Sequence, residues 1–214
     1  MNRYILFFIF PLLLSCTKQT FQIGDIFFQD LDCGPPCQAI EAVTSGYNGA
    51  QLSHCAIVTS VGSSNHNTIL TEAIGETVSQ ITLHDFLNRS SKVFVGRLKN
   101  EYQYMIPNAV TYIQTDLVGK PYDYIFDLTD DTYYCSEIIY EGLKAADDTQ
   151  ELFLVKPMTF NEPGTDSPFV HWVDYYEELG YPIPEGKLGL NPGSMSQSEA
   201  IDLVFIFDKP NGMN

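Results

Sequence analysis

A single cysteine, Cys135, stands at the start of a stretch with the pattern of an amphipathic helix. The residues from Ile138 to Ala146 place apolar side chains at helical spacing, and Asp147 and Asp148 follow them. Cys135 is therefore predicted in the first helical turn, where unpaired backbone N–H groups and the helix dipole favour thiolate over thiol. The sulfur would then be a nucleophile; the alternative is a buried structural cysteine, which is the commoner place for a free cysteine.

His54 and Glu72 are predicted to meet across a β-hairpin upstream of this helix. His54 lies near the start of an apolar strand, Leu52 to Val61, and Glu72 lies in the next strand, Thr68 to Ile74. A carboxylate in an otherwise uncharged strand needs a partner, and an imidazole N–H across the hairpin would provide one. With Cys135 the two would form a triad in which the thiolate attacks a carbonyl, the imidazole moves the proton and the acid fixes the tautomer. Alone, such a histidine is more often a core or edge residue.

The order along the chain is strands that carry the histidine and the acid, then the helix that carries the cysteine. The other predicted elements are strands at 23–29, 78–83, 93–98 and 200–207, and helices at 38–43, 84–88 and 105–118. The segment 153–192 is rich in proline, glycine and aromatic residues. We expect it to wrap over apolar surface or to form one wall of an elongated pocket.

The N-terminus has the layout of a bacterial lipoprotein signal. An apolar run from Tyr4 to Leu14 follows the positive Arg3, and Leu13-Leu14-Ser15-Cys16 resembles the lipobox. The run is too short to span a bilayer as a mature helix. We therefore expect loss of residues 1–15, lipidation of Cys16, a tether at 16–22 and a single domain at 23–208 with an extension from about 153. The protein would be exported and membrane-anchored at the cell envelope, on the periplasmic side or outer surface; an ordinary signal cleaved nearby is the alternative.

Composition predicts one folded domain with a strongly acidic surface. Of the 214 residues, 44% are hydrophobic and 13% aromatic, which is enough for one substantial core. The formal net charge is −16, and removing residues 1–15, whose only charge is Arg3, makes it −17. This acidity disfavours nucleic acid and anionic lipid as direct partners, because a strongly negative surface attracts neither.

Cys33 and Cys37 have two possible roles. An exported protein meets an oxidising environment, which favours a disulfide between them, although so short a loop restricts its geometry. Zinc is the alternative, with His54 and Cys55 as further ligands. Because neighbouring residues of a strand point to opposite faces, His54 and Cys55 are poorly placed to bind one ion. The sequence thus predicts no metal and no cofactor.

Five motifs resemble, in order along the chain, the circularly permuted papain-like amidases of the YaeF/YiiX group, which are relatives of the NlpC-type cell-wall peptidases. The resemblance extends from about Gly24 to Ser198, nearly all of the mature chain. The motifs are Gly24-Asp25-Ile26-Phe27-Phe28, Ser53-His54-Cys55-Ala56-Ile57-Val58, Glu72-Ala73, Gly119-Lys120-Pro121-Tyr122-Asp123 and Tyr134-Cys135-Ser136-Glu137.

This resemblance implies an α+β papain-like fold, circularly permuted, with a small antiparallel sheet or barrel packed on the helix that carries the cysteine. It also implies cleavage of an amide bond, with Cys135 as nucleophile, His54 as base and Glu72 as the residue that orients the base. One position departs from the pattern, since relatives usually carry an aliphatic residue at Cys55. As a small hydrophobe, Cys55 is expected to pack in the same way.

Four further residues are candidates for substrate binding or the oxyanion site. Tyr122 and Asp123 precede the cysteine helix and would line the cleft or donate to an oxyanion; the alternative is a turn fixed by Pro121. Gln38 would supply an oxyanion donor, as a glutamine does in papain-like enzymes, or would only begin a helix. Tyr134, directly before the cysteine, is the fourth candidate.

The sequence therefore predicts a cell-envelope cysteine amidase or peptidase that acts on a peptidoglycan-derived peptide or a lipid-linked amide. One alternative is an acyltransferase or N-acyl hydrolase that uses the same triad, and an apolar tunnel beside Cys135 would favour it. The other is a non-catalytic ligand-binding lipoprotein, which would have no use for a nucleophile together with its base. The predicted partners are a small peptide or lipid-like amide, and a membrane reached through the N-terminal lipid.

Overall fold

The computed structural model describes residues 21–214. The predicted signal at 1–15, Cys16 and most of the predicted tether lie outside these residues. The helices are α1 (Pro35–Val43), α2 (Leu83–Arg89), α3 (Ile106–Tyr112), α4 (Cys135–Ala146), α5 (Val170–Leu179) and α6 (Pro192–Ser196), and the strands are β1 (Ile26–Gln29), β2 (His54–Ser60), β3 (Ile69–Ile74), β4 (Thr77–Thr82), β5 (Val93–Leu98), β6 (Lys156–Pro157), β7 (Leu188–Gly189) and β8 (Ile201–Ile206).

One six-stranded antiparallel sheet, ordered β4-β3-β2-β1-β5-β8, forms the centre of the fold. Its inner strands are apolar on both faces: in β1, Ile26 and Phe28 enter one core cluster and Phe27 enters the other. The first cluster lies between the sheet and the helices α3 and α4, and the second packs against α2. The prediction of an α+β fold with an antiparallel sheet packed on the cysteine helix is confirmed.

The cysteine helix α4 lies close against the segment that follows α3. Gly142 makes this approach possible, because a Cβ at that position would lie 2.6 Å from Cδ1 of Ile113. Ile138 and Ile139, one turn after Cys135, are fully buried in the cluster shared with the sheet. Packing on two sides therefore fixes where α4 begins, and with it the position of the sulfur.

The C-terminal segment forms a third, smaller cluster, which is mainly aromatic. Phe160, together with Trp172 and Tyr176 of α5, packs against Ala39 of α1. This segment then returns to the sheet as β8, which pairs with β5. Both sequence-based alternatives for residues 153–192 hold in part, because the segment covers apolar surface and also faces a cavity described below.

Several boundaries differ from the sequence-based prediction. The helix predicted from Gln38 begins at Pro35, because prolines lack the N–H that a first helical turn leaves unpaired. The helix predicted at 105–118 is α3 flanked by a 3₁₀ turn and a π-helical turn.

Phe21, predicted as tether, packs on Phe27 and Phe207. Residues 209–214, which follow the domain predicted at 23–208, pack back on it, where the Asn214 N–H donates to the Asn48 carbonyl at 2.9 Å.

None of the helices within residues 21–214 is long and apolar enough to cross a membrane.

Candidate active site

The first turn of α4 holds Cys135 through contacts of its neighbours. The backbone N–H of Tyr134 donates to Glu137 Oε2 at 3.2 Å, and the Glu137 N–H donates back to the Tyr134 carbonyl at 3.1 Å. Ser136 Oγ donates to the Leu190 carbonyl at 3.1 Å. Cys135 is thus the first residue of the helix, 8% exposed, and its side chain lines a large cavity.

His54 and Glu72 meet on one face of the sheet. Strands β2 and β3 pair antiparallel with Ile57 opposite Thr71, and this register places Glu72 diagonally across from His54. His54 Nε2 lies 2.7 Å from Glu72 Oε2, and the two residues are 3% and 1% exposed. His54 also hydrogen-bonds to Cys135. Because Nε2 contacts the carboxylate, Nδ1 is the nitrogen available to the sulfur.

Electrostatics at this site favour a thiolate and an imidazolium. A hydrogen bond from Cys55 lowers the pKa of Cys135, burial opposes this, and the hydrogen bond with His54 lowers it further, so that the pKa falls well below its usual value. Burial alone would lower the pKa of His54, but its hydrogen bonds with Cys135 and Glu72 raise it to about 9. A nucleophilic sulfur and a proton donor are therefore present together at neutral pH.

Cys55 contributes more than the packing expected from the sequence. It lies in the core cluster with Cys135, and burial, together with the adjacent Cys135 sulfur, raises its pKa. Cys55 therefore stays a thiol and donates its hydrogen bond to the Cys135 sulfur. Nothing in the sequence around Cys55 indicated this contact, which depends on how α4 meets β2.

Arg89 is a further residue of the site that the sequence reasoning missed. Its Nη2 donates to Glu72 Oε2 at 2.6 Å, the same oxygen that His54 contacts. Burial would raise the pKa of Glu72, but the hydrogen bonds from His54 and Arg89 lower it below its usual value. A buried carboxylate facing a lone histidine was the available signal that a further cation would be close.

Two of the four further candidates lie at the cavity with Cys135. Tyr122 lines the cavity, and burial together with the nearby Cys135 sulfur raises its pKa, so its hydroxyl stays protonated and can donate a hydrogen bond. Tyr134 lines the cavity as well, and its hydroxyl accepts the Leu190 N–H at 3.3 Å. Tyr134 thus links the start of α4 to the C-terminal segment.

The other two candidates lie elsewhere. Asp123 is fully buried, and its carboxylate accepts backbone N–H groups from Ile125, Phe126 and Asp127 at 2.6 to 2.9 Å. It does not line the cavity; it shapes a turn, as in the structural alternative, and a carboxylate cannot donate to an oxyanion. Gln38 is exposed on α1 and does not line the cavity either, because the helix turns this side chain outward.

Cys33 and Cys37 form a disulfide, with their Cα atoms 5.4 Å apart. Oxidised sulfurs cannot serve as thiolate ligands, so the disulfide is the alternative that the structure supports. The bond lies at the start of α1, and both cysteines line the cavity.

The cavity beside Cys135 has a volume of about 1210 Å³, which is above the range of about 300 to 1,000 Å³ for ligand pockets in proteins. Aliphatic side chains of α1 form one wall and aromatic side chains of the C-terminal segment form another, including Ile40, Val43, Phe153, Phe160 and Trp172. Among the described residues that line it, Lys99 and Lys156 are the only lysines or arginines. Cys135, whose pKa is lowered, therefore lines a large, mostly apolar chamber.

Comparison with known proteins gives a family and a similar fold. The family model described as "Permuted papain-like amidase enzyme, YaeF/YiiX, C92 family" matches residues 20–205. The crystal structure of metalloprotein yiiX from Escherichia coli O157:H7 is similar with a TM-score of 0.66 and 23% sequence identity, covering 88% of this chain and 98% of that one. No curated protein sequence is significantly similar to the chain.

Proposed function

Because this chain belongs to the YaeF/YiiX family of permuted papain-like amidases, we propose that it hydrolyses an amide that carries a long apolar acyl chain. Membership of the family gives the fold and the enzyme class, which is that of a cysteine hydrolase. One observation carries the proposal: Cys135, with the His54–Glu72 pair beside it, opens into a cavity of about 1210 Å³ with apolar walls. Burial of each CH₂ group contributes roughly 0.8 kcal/mol, so such walls select a hydrocarbon. A peptidoglycan stem peptide would bring carboxylates, for which the described lining residues supply only two lysines.

The proposed reaction begins with attack of the Cys135 thiolate on the amide carbonyl carbon. A C–S bond forms and the carbonyl π electrons move to oxygen. A backbone N–H of the first turn of α4, which begins at Cys135, and the Tyr122 hydroxyl donate hydrogen bonds to this oxyanion. His54 gives its Nδ1 proton to the leaving nitrogen, and the C–N bond breaks. His54 then takes a proton from water, whose oxygen attacks the thioester, so that the fatty acid leaves and the thiolate returns.

Chain-length dependence tests the substrate class. We expect kcat/KM on N-acyl aminocoumarin amides to rise at least about 100-fold from acetyl to dodecanoyl, because the added CH₂ groups enter the cavity. Val43→Asp, in the cavity wall, should reduce this ratio, while Ala42→Asp, on an exposed position of the same helix, should not. Equal rates for both amides, or faster cleavage of a γ-D-glutamyl peptide amide, would contradict the acyl-chain proposal.

The reason to consider a metal is that the structural relative is described as a metalloprotein. Within residues 21–214, no group of three or more His, Cys, Asp or Glu side chains has an arrangement that could hold a metal ion. The residues present therefore do not fit a metal centre, and the proposed steps use side chains alone.

We also propose that the protein is a lipoprotein of the bacterial cell envelope, anchored through Cys16. The lipobox-like sequence supports this, and the Cys33–Cys37 disulfide agrees with export to an oxidising compartment. In a bacterial host fed an alkynyl fatty acid, the full chain should carry the label, and Cys16→Ser should abolish it because the acylated thiol is lost. Labelling that survives Cys16→Ser would contradict lipidation at this cysteine.

A further inference from the structure

We propose that Arg89 is a positioning residue of this active site: it anchors the Glu72 carboxylate and thereby holds the His54 ring so that Nδ1 faces the Cys135 sulfur. The inference rests on the proposed function in one respect, since it takes His54 to be the proton carrier. The observation behind it is that two donors, Arg89 Nη2 at 2.6 Å and His54 Nε2 at 2.7 Å, converge on one oxygen of a carboxylate that is 1% exposed.

The position of Arg89 is itself fixed by its surroundings. It lies at the end of α2, and its guanidinium carbon is 5.1 Å from the centroid of the Phe86 ring. The Phe86 ring in turn lies 6.0 Å from the His54 ring. The Gln29 side-chain amide holds this end of α2 by donating to the carbonyls of Phe86 and Ser90 at 3.1 and 2.8 Å. Helix α2 thus presents the guanidinium to Glu72 from a rigid support.

A permanent cation here has a specific use during the reaction. His54 alternates between imidazolium and neutral imidazole, and each neutral phase would leave Glu72 as a buried carboxylate without an opposite charge. Arginine stays protonated throughout. Arg89 therefore keeps Glu72 ionised in both phases, so the proton stays on the His54–Cys135 side and the carboxylate remains a hydrogen-bond acceptor for Nε2.

The chain offers a matched control in Arg97. Arg97, in β5 of the same sheet, also pairs with a buried carboxylate, that of Asp25 directly before β1, through Nε to Oδ1 at 2.6 Å and Nη2 to Oδ2 at 2.8 Å. Asp25 is fully buried, and the two arginine side chains are similarly exposed, at 22% for Arg97 and 27% for Arg89. Removing either arginine therefore breaks a comparable ion pair, but only Arg89 contacts Glu72.

The test is the pH dependence of amide hydrolysis and of Cys135 alkylation by iodoacetamide, measured on the full domain. Arg89→Met should move the acid limb of both profiles up by about one pH unit, which lowers hydrolysis about tenfold at pH values below the wild-type limb, because Glu72 then protonates at higher pH. Arg89→Lys keeps the cation, so both of its pH profiles should lie close to those of the wild type. Arg97→Met should lower the melting temperature without moving either profile.

Two results would overturn the proposal: profiles of Arg89→Met that superimpose on those of the wild type, or an equal shift in Arg97→Met. If Arg89→Met does not fold, Arg89→Gln carries the same test, since its amide still donates to Glu72 but bears no charge. Failure of this proposal is distinguishable from failure of the proposed function. If His54→Ala loses hydrolysis and the pH profiles of Arg89→Met are unshifted, only the positioning role of Arg89 is contradicted. If His54→Ala keeps full hydrolysis, the proposed function is contradicted.

Discussion

His54→Ala is expected to lower kcat/KM for amide hydrolysis by at least about 10³-fold. The imidazole contributes twice: general acid and base catalysis is worth about 10² to 10⁴, and its hydrogen bond helps to lower the pKa of Cys135. Loss of that hydrogen bond leaves less thiolate at neutral pH, so attack on the carbonyl slows as well. The measurement is steady-state hydrolysis of the dodecanoyl aminocoumarin amide at pH 7.

This substitution should leave the fold intact, because Glu72 keeps its ion pair with Arg89, and the Cys135 thiolate, which loses the imidazolium, can take up a proton. His66→Ala is the control, since His66 is exposed and stacks only on His84; it should retain full activity. A His54→Ala variant that is folded by thermal melting and keeps more than about a tenth of the wild-type rate would contradict a role for His54 in proton transfer.

Glu72→Gln is expected to lower kcat/KM by about 10² to 10⁴-fold and to narrow its pH profile from both sides. The basic limb reports loss of the proton from His54, whose pKa of about 9 depends in part on the hydrogen bond and charge of Glu72. An uncharged amide lowers that pKa, so the basic limb moves to lower pH. A His54 ring that Glu72 no longer orients makes a weaker hydrogen bond to Cys135, and because that bond lowers the pKa of Cys135, the acid limb moves to higher pH.

A pH profile measured from about 5 to about 10 covers the range in which these groups titrate. It therefore checks the shifts of the acid limb and the basic limb on the same protein. Glu76→Gln is a suitable control because it removes one negative charge from the exposed turn between β3 and β4 and should leave both limbs in place. If Glu72→Gln lowered the rate uniformly at every pH, Glu72 would act through packing alone, and its charge would not support the His54 imidazolium.

The positions of Cys135, His54 and Glu72 could be predicted from the sequence because they depend on local sequence patterns. Helical spacing after Cys135 and the two apolar strands around His54 and Glu72 are properties of short segments, and an antiparallel hairpin brings the latter two within reach of each other. The buried carboxylate in β3 was informative for the same reason, since such a group needs a partner. The roles of these three residues in catalysis stay predictions until the variants above are measured.

The features that the sequence did not predict depend on contacts between distant segments. Arg89 reaches Glu72 only because α2 packs under the sheet, and Cys55 reaches Cys135 only because α4 lies across β2. The outward direction of Gln38 follows from where α1 begins, which its two prolines set. The packing of residues 209–214 on the loop around Asn48 likewise joins the C-terminus to the connection between α1 and β2.

Competitive alkylation of the two cysteines that are free within residues 21–214 is the most direct test of Cys135 as the nucleophile. The protein is treated with limiting iodoacetamide at pH 6, and the modified cysteine is identified by peptide mass spectrometry. Cys135 should react first and Cys55 should stay unmodified, because the pKa of Cys135 is lowered and that of Cys55 is raised; in His54→Ala the reaction of Cys135 should slow sharply. Equal modification of Cys55 and Cys135, or an unchanged rate in His54→Ala, would show that no activated thiolate exists at the start of α4.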